Sequence, residues 1–256
     1  MDELHSLEVE EVPQCELGYY KDDFEYKSLS QAGGYSLNVK EMHSHPFVDL
    51  QVVLDQMIVQ NTSYVKVIKR CLDILFSCLA ILFILSWIIP LFAIFIKFDS
   101  KSSLFFLQKR KGLHGKVFTC IKFRSMYPNT QSDVEPVRED DTRITRFGKF
   151  MRRYHLDELP QFFNVLKGNM TVVGPRPHMI HEDIFYEKII NNYAFRFQVK
   201  PGITGLGQVN NRVRITGRKK MEYRVFWDIL YIKNWSQYLD IWIMCRTFSI
   251  CLRGSK

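Results

Sequence analysis

An uncharged run of 23 residues, Ile74–Ile96, constrains the fold of this chain more than any other segment. As an α-helix the run would extend about 34 Å, enough to cross the hydrocarbon core of a bilayer. This length disfavours a buried core helix. Hydrophobic residues make up 46% of the whole chain, an ordinary value for a globular protein, so the membrane signal is local. We therefore expect a membrane-embedded helix over residues 61–98, attached to a water-exposed body.

The sequence allows two topologies for this helix. Pro90 removes one helical hydrogen bond and favours a kink. Basic residues flank both ends of the run, and the positive-inside rule places both ends on the same side of the membrane. A re-entrant hairpin broken at Pro90 satisfies that rule, but Pro-kinked helices that span the bilayer are also common. Both forms therefore stay open. The flanking residues are Lys66, Lys69 and Arg70 before the run, and Lys97, Lys101, Lys109, Arg110 and Lys111 after it.

Charge is distributed unevenly along the chain. Residues 1–60 contain 12 acidic and 3 basic residues, although the chain as a whole has a net charge of +8. The remainder is therefore strongly basic, which indicates an anionic partner such as nucleic acid, anionic lipid or a phosphorylated substrate. Residues 1–60 form an acidic N-terminal extension to which we assign no role. The six cysteines form no CxxC pair, a pattern typical of reduced thiols in a cytoplasmic setting.

The segment 156–161, Leu-Asp-Glu-Leu-Pro-Gln, contains the strongest candidates for catalysis. Asp157 is suited to cap a short helix, and Pro160 is tolerated in its first turn because the missing N–H has no helical partner there. Lys167 and Gly168 form a good stop for this helix. The carboxylates of Asp157 and Glu158 would then lie at the positive end of the helix, where anions are stabilised. A structural capping pair without catalytic function is the common alternative.

Basic and glycine-rich segments surround this acidic pair. Arg152 precedes it, and Arg176 follows within Gly-Pro-Arg-Pro, where two prolines restrict the backbone. Arginine is suited to bidentate contact with phosphate. The segment 202–208 contains three glycines and is predicted to be a loop that approaches a ligand closely. Together these features predict a metal-and-phosphate site, in which the two carboxylates can serve in two ways: one can hold Mg²⁺ against a diphosphate, and one can attack phosphorus.

A series of short motifs resembles the monotopic polyprenyl-phosphate phosphoglycosyl transferases, the bacterial sugar transferase family that initiates glycan assembly. The resemblance covers about residue 64 to the C-terminus, and the motifs occur in the family's order. It implies an α/β, mainly helical fold: a small membrane-associated catalytic domain with an N-terminal re-entrant helix. The motifs are Lys69-Arg70 with Asp73, Lys122-Phe123-Arg124-Ser125-Met126, Asp141-Thr142-Arg143-Ile144-Thr145, Leu156-Asp157-Glu158-Leu159-Pro160-Gln161, Asn164-Val165-Leu166-Lys167-Gly168, Gly174-Pro175-Arg176-Pro177, Pro201-Gly202-Ile203-Thr204-Gly205 and Gln208-Val209-Asn210.

The resemblance implies a specific reaction. A UDP-sugar donates its phosphosugar to a polyprenyl phosphate, such as undecaprenyl phosphate, and UMP is released. Asp157 corresponds to the family's nucleophile, which forms a covalent phosphosugar intermediate. Glu158 corresponds to the residue that helps to bind the cofactor Mg²⁺. The substrate-binding residues expected on this basis are Arg152, Arg176, Lys122, Arg124, Gln208 and Arg212.

The resemblance also implies a location for the catalytic region, and the aromatic spacing predicts the arrangement of the C-terminal segment. Residues 99–218 would form a catalytic region that faces the cytoplasm at the bacterial inner (cytoplasmic) membrane. Residues 219–256 would form aromatic-rich helices in the membrane interface, because Trp and Tyr recur there at helical spacing and prefer the headgroup level. A stripe of core-packing aromatics is the alternative for that segment. Further expected partners are membrane lipids, a second copy of the chain and downstream glycosyltransferases.

Two other function classes compete with this interpretation. A catalytically silent membrane scaffold could recruit glycan-assembly enzymes, but the intact Asp157 and Glu158 argue against silence. A nucleic-acid binder would explain the basic charge, but the arginines cluster around acids and the chain carries a membrane segment. We therefore expect no nucleic-acid partner. No motif identifies the sugar.

Overall fold

The computed structural model describes residues 63–129, 141–210 and 217–254. The acidic extension 1–60 and the predicted substrate residue Arg212 lie outside these ranges. The described part is mainly helical with two small sheets, as predicted. Its helices are α1 (Ser63–Ala80), α2 (Ser86–Ser100), α3 (Arg146–Arg153), α4 (Gln161–Leu166), α5 (Ile180–Ile189), α6 (Leu206–Val209), α7 (Gly217–Lys233) and α8 (Gln237–Arg253). Its strands are β1 (Phe105–Lys111), β2 (Val117–Phe123), β3 (Thr171–Val173) and β4 (Gly202–Thr204).

The helix that carries the apolar run is continuous but irregular. A π-helical segment, Ile81–Leu85, joins α1 to α2. Directly after it, the Ser86 hydroxyl donates to the Leu82 carbonyl at 2.5 Å. The irregularity therefore lies before Pro90, which is contained within α2. The part Val67–Ser100 is long and apolar enough to cross a membrane, and only 22% of its most apolar stretch is buried in the fold.

Both ends of this long helix are bonded to the body of the protein. Near its start, the Asp73 carboxylate accepts hydrogen bonds from the Thr171 hydroxyl at 2.8 Å and the Val172 amide at 2.9 Å. At its end, the Asp99 carboxylate accepts one from the Phe147 amide at 2.8 Å. The second half of the helix also enters a hydrophobic core. That core consists of Leu85, Phe92, Ile96, Phe123 and Met151.

Two small sheets form the frame of the site. Strands β1 and β2 are antiparallel. Strand β2 covers residues 117–123, where apolar and polar residues alternate in part, a pattern that by itself predicts a strand. Strands β3 and β4 are parallel, with Thr171 opposite Gly202. The predicted loop 202–208 is wrong, because this segment contains β4 and α6. A Cβ on Gly202 would lie 2.1 Å from the Gly174 amide nitrogen, so the glycines permit close strand pairing rather than loop mobility.

The aromatic residues of the predicted stripe are distributed over the two C-terminal helices, α7 and α8. Tyr238 on α8 is 62% exposed, as an interfacial side chain would be. Tyr231 on α7 is only 3% exposed, and its hydroxyl lies 2.9 Å from the Val173 carbonyl and 2.7 Å from Asp240 Oδ1. The interfacial prediction is therefore wrong for Tyr231, which packs in the core. A second hydrophobic core joins α7 to the preceding helices and consists of Ile190, Tyr193, Met221, Val225 and Ile229.

Candidate active site

The acidic pair lies in a tight turn between two helices. Asp157 and Glu158 belong to the 3₁₀ helix Leu156–Glu158. The prediction that Asp157 caps α4 is wrong, because Pro160 occupies the N-cap position. His155, immediately before the turn, has a φ of 57°, a left-handed conformation that reverses the chain after α3. The turn therefore presents the two carboxylates at the start of α4 without using them as caps.

The Glu158 carboxylate is paired with two cations. Its Oε1 lies 2.8 Å from Lys122 Nζ and 2.5 Å from Arg176 Nη2, and its Oε2 lies 2.9 Å from Arg176 Nη1. Burial alone would raise the pKa of this carboxyl. Instead the charges of Arg176 and Lys122 hold the pKa of Glu158 well below its usual range. Glu158 is therefore a fixed anion, and it fixes the fork of Arg176 in turn.

Asp157 is as buried as its neighbour but differs from it in hydrogen bonding and in the direction of its pKa shift. It is 8% exposed, yet its carboxylate accepts no hydrogen bond from any of the residues that the structure describes. Burial and then the negative charge of Glu158 raise the pKa of Asp157, against the opposing charges of Lys122, Arg152 and Arg176. A desolvated carboxylate that is not hydrogen-bonded is a stronger nucleophile than a solvated one. The geometry thus separates a paired carboxylate from one that has no hydrogen-bond partner among the described residues.

A basic cavity of about 310 Å³ opens on Asp157. The Arg152 Nε in its wall donates to the Ser125 hydroxyl at 2.7 Å, and Arg124 is bonded to Ser103. Side chains at these positions can contact the oxygens of a diphosphate. Four of the predicted substrate residues line this cavity together with both acids. The cationic residues of its wall are Arg110, Lys122, Arg124, Arg152 and Arg176.

A larger cleft of about 1100 Å³ lies on the other side of the acidic pair. Its walls are mostly apolar and come from α1, the π-helical segment, α2 and α8. Glu158 and Arg176 line both the cleft and the basic cavity, so the two spaces meet at these side chains. The predicted substrate residue Gln208 lies in the cleft rather than in the basic cavity, and its amide donates to the Ile203 carbonyl at 3.1 Å.

A buried network that the sequence did not reveal supports Arg176. Arg196 Nη2 donates to the Arg176 carbonyl at 2.7 Å and to Asp228 Oδ2 at 2.8 Å. Arg196 is 3% exposed and Asp228 is 5% exposed. Burial raises the pKa of Asp228 to about 6. No local pattern distinguishes these residues, because they are 32 positions apart and each lies in an aromatic segment.

The donor set fits Mg²⁺ only in part. The residues that the structure describes contain no group of three His, Cys, Asp or Glu side chains that could hold a metal by themselves. Mg²⁺ is commonly held by one or two carboxylates together with substrate phosphates. Glu158 Oε2 accepts a single hydrogen bond and retains a free lone pair. The carboxylate pair therefore suits Mg²⁺ that arrives with a diphosphate.

Comparison with known proteins identifies the family. A family described as Bacterial sugar transferase matches residues 64–254, most of the chain. This chain belongs to the bacterial sugar transferase family. The match includes the acidic turn, the basic cavity and the long apolar helix.

Three relatives of this chain are named as enzymes that act on undecaprenyl phosphate. A UDP-glucose:undecaprenyl-phosphate glucose-1-phosphate transferase of Xanthomonas campestris pv. campestris is 39% identical over 92% of this chain and 47% of its own length. One from Klebsiella pneumoniae, with the same name, is 46% identical over 71% of this chain and 39% of its own length. A UDP-N-acetylgalactosamine-undecaprenyl-phosphate N-acetylgalactosaminephosphotransferase of Aeromonas hydrophila is 39% identical over 73% of this chain and 44% of its own length. The chain spans about half or less of the length of these relatives.

Proposed function

We propose that this protein transfers a phosphosugar from a UDP-sugar to undecaprenyl phosphate or a similar polyprenyl phosphate, as the first membrane step of glycan assembly. The observation that carries the proposal is the position of Asp157. Its carboxylate is desolvated, accepts no hydrogen bond from the described residues and lines the basic cavity, directly beside Glu158, where that cavity meets the apolar cleft. A basic cavity suits a diphosphate, and an apolar cleft suits a lipid chain.

In the first step, a carboxylate oxygen of Asp157 attacks the β-phosphorus of the UDP-sugar. A new P–O bond forms to Asp157, and the bond between the β-phosphorus and the bridging oxygen breaks. UMP departs with that electron pair, and an aspartyl phosphosugar remains. Arg152 and Arg176 offset the charge that develops on the diphosphate, because their guanidinium groups face the same cavity.

In the second step, a phosphate oxygen of the polyprenyl phosphate attacks the phosphorus of the aspartyl phosphosugar. The P–O bond to Asp157 breaks, so the carboxylate is regenerated and a polyprenyl diphosphosugar is released. No net proton transfer is required in either step. Glu158, with Mg²⁺, would hold the diphosphate, and the metal when bound would neutralise phosphate charge as a Lewis acid.

We also propose that the long helix is re-entrant and returns to the cytoplasmic side of the inner membrane. The anchors at Asp73 and Asp99 would lie about 39 Å apart in a straight helix, yet both bond to the same small body. The π-helical segment Ile81–Leu85 offers a place for the helix to bend. A helix that simply crossed the bilayer would separate its second anchor from the body.

Single-turnover mass spectrometry would test the reaction. The full-length protein in detergent, with Mg²⁺ and a panel of UDP-sugars but no lipid acceptor, should gain the mass of one phosphosugar and release one UMP. Peptide mapping should place the adduct on Asp157. Asp157→Asn should show no adduct, whereas Glu187→Gln, which changes an exposed carboxylate paired with Lys111, should react like the unmodified protein.

The alternatives predict different results in this experiment. UMP release that requires polyprenyl phosphate, without any adduct, would replace the two-step route with direct transfer in a ternary complex. Neither adduct nor UMP, with every donor and with the acceptor present, would favour the scaffold. The donor that reacts would identify the sugar.

A further inference from the structure

The polar floor of the apolar cleft is the part lined by Arg176, His178 and Arg224. One ring nitrogen of His178 has no hydrogen-bond partner among the described residues. His178 is 4% exposed and lines the cleft. Its Nδ1 lies 2.5 Å from Arg196 Nη1 and 3.1 Å from the Tyr193 hydroxyl. A guanidinium can only donate, so Nδ1 must accept, and the neutral ring then carries its proton on Nε2. Burial and the charge of Arg196 hold the pKa of His178 well below its usual range, consistent with a neutral ring.

The His178 Nε2 is a buried donor that none of the described residues satisfies. A buried donor without an acceptor destabilises the fold, so such groups commonly bind a ligand or a water molecule. Because the ring is fixed through Nδ1, it cannot rotate to find another partner. The Nε2–H is thus a fixed donor that lacks an acceptor among the described residues, on a residue that lines the cleft.

Arg224 on α7 lines the same cleft, as does Arg176. Its side chain is partly buried, and no residue of 63–129, 141–210 or 217–254 forms a hydrogen bond or ion pair with it. An unpaired guanidinium in a mostly apolar space is unfavourable unless an anion joins it. The neighbouring acid Asp228 is already bonded to Arg196 at 2.8 Å.

We infer that His178 Nε2–H and Arg224 bind the phosphate of the lipid acceptor at the polar end of the apolar cleft. This inference rests on the proposed function and specifies its second substrate site. The two side chains supply a neutral donor and a cationic donor, the combination that a phosphate monoester accepts. Arg176 borders the same floor, so a phosphate held there lies next to the acidic turn.

The position of these residues distinguishes the acceptor phosphate from the donor diphosphate. Neither His178 nor Arg224 belongs to the wall of the basic cavity, in which Arg152 and Arg124 lie. The cleft around them is lined by apolar side chains such as Phe83 and Phe248, which suit a polyprenyl chain rather than a nucleotide. The two anionic substrates thus have separate recognition groups on either side of Glu158 and Arg176.

Direct binding would test the inference without turnover. Farnesyl phosphate and farnesol, which differ only in the phosphate, are titrated into the full-length protein in detergent with EDTA present. The unmodified protein should bind farnesyl phosphate at least about tenfold more tightly than farnesol, because farnesol lacks the phosphate oxygens that accept the charged hydrogen bonds. Arg224→Met should abolish most of this preference.

Matched variants separate recognition from folding. Arg218→Met removes an exposed arginine of the same helix that pairs with Glu222, and it should leave the preference unchanged. His178→Gln retains a donor near the Nε2 position, whereas His178→Asn retains only the inner acceptor. We expect the Gln variant to keep more of the phosphate preference than the Asn variant. Equal thermal unfolding midpoints would show that the fold is intact.

The outcomes separate this inference from the proposed function. If Arg224→Met retains the full preference for farnesyl phosphate, the inference is overturned. It is also overturned if Arg224→Met instead weakens UDP-sugar binding, since the residue would then serve the donor. A phosphate preference that depends on Arg224, found in a protein that releases no UMP from any UDP-sugar, would support the site and contradict the proposed transferase.

Discussion

Asp157 and Glu158 show how two adjacent carboxylates acquire different chemical properties. Both are buried to the same extent, yet Arg176 and Lys122 hold the pKa of Glu158 well below its usual range, whereas the pKa of Asp157 is raised by burial and by Glu158. Environments that separate the pKa values of neighbouring acids commonly assign them different roles. Here the paired acid orients cations, and the other is available for attack.

The pH dependence of adduct formation should follow Asp157. Only the ionised carboxylate attacks, so the single-turnover rate should rise as pH increases through the raised pKa and then become constant. Arg152 lowers the pKa of Asp157 by its positive charge. Arg152→Gln should therefore move the midpoint of the profile to higher pH at saturating donor. Arg153→Gln changes a neighbouring exposed arginine, and an equal shift in that variant would contradict the assignment to Arg152.

Helix α3 is positioned by a close contact that requires glycine. A Cβ at Gly148 would lie 2.0 Å from the Ser125 carbonyl oxygen, far inside the contact distance. Ser125 also accepts the hydrogen bond of Arg152 through its hydroxyl. The same approach therefore sets both the packing of α3 and the position of a guanidinium in the basic cavity.

Gly148→Ala should consequently lower both stability and activity. Overpacking of this kind typically costs about 1–3 kcal/mol, and more where the opposing atom is backbone. We expect a lower thermal unfolding midpoint and a reduced rate of adduct formation. Gly207→Ala is the control, because its Cβ would meet its nearest neighbour, Trp227 Cβ, at 3.4 Å, an ordinary contact. Similar losses in both variants would contradict the steric argument.

The overall arrangement places one acidic turn between a basic space and an apolar space, with the membrane helix bonded to the body at both ends. This arrangement suits a reaction in which a water-soluble donor and a lipid acceptor approach the acidic turn from different sides. Glu158 and Arg176 form the boundary. A helix that spanned the bilayer would place Asp99 on the membrane side opposite to Asp73, whereas both are bonded to the same body.

Thiol labelling would test the topology of the helix. In a chain whose natural cysteines are changed to serine, Val67→Cys and Lys109→Cys place single exposed thiols before and after the membrane segment. A membrane-impermeant reagent should label neither thiol in intact spheroplasts and both after lysis, because a re-entrant helix keeps its flanks in the cytoplasm. Labelling of only one of the two thiols in intact spheroplasts would demonstrate a spanning helix.

The amino-acid sequence by itself determined the local elements and the chemical repertoire. The alternating residues 117–123 predicted β2, and Lys167 with Gly168 marked the end of α4. The uncharged run predicted the long helix. These features depend on side-chain periodicity, glycine conformation and neighbours within a few positions, all of which can be read along the chain. The motif order also indicated the family, and the comparisons confirmed it.

Only the tertiary structure decided which acid is paired, where the two cavities lie and which buried groups remain unpartnered. Glu158 meets Lys122 across 36 positions and Arg176 across 18, and Arg196 meets Asp228 across 32. Contacts between residues so far apart in the chain cannot be predicted from local sequence patterns. The pKa direction of a carboxyl depends on burial and on charges brought close by folding, so the adjacent acids Asp157 and Glu158 became chemically different groups in the protein.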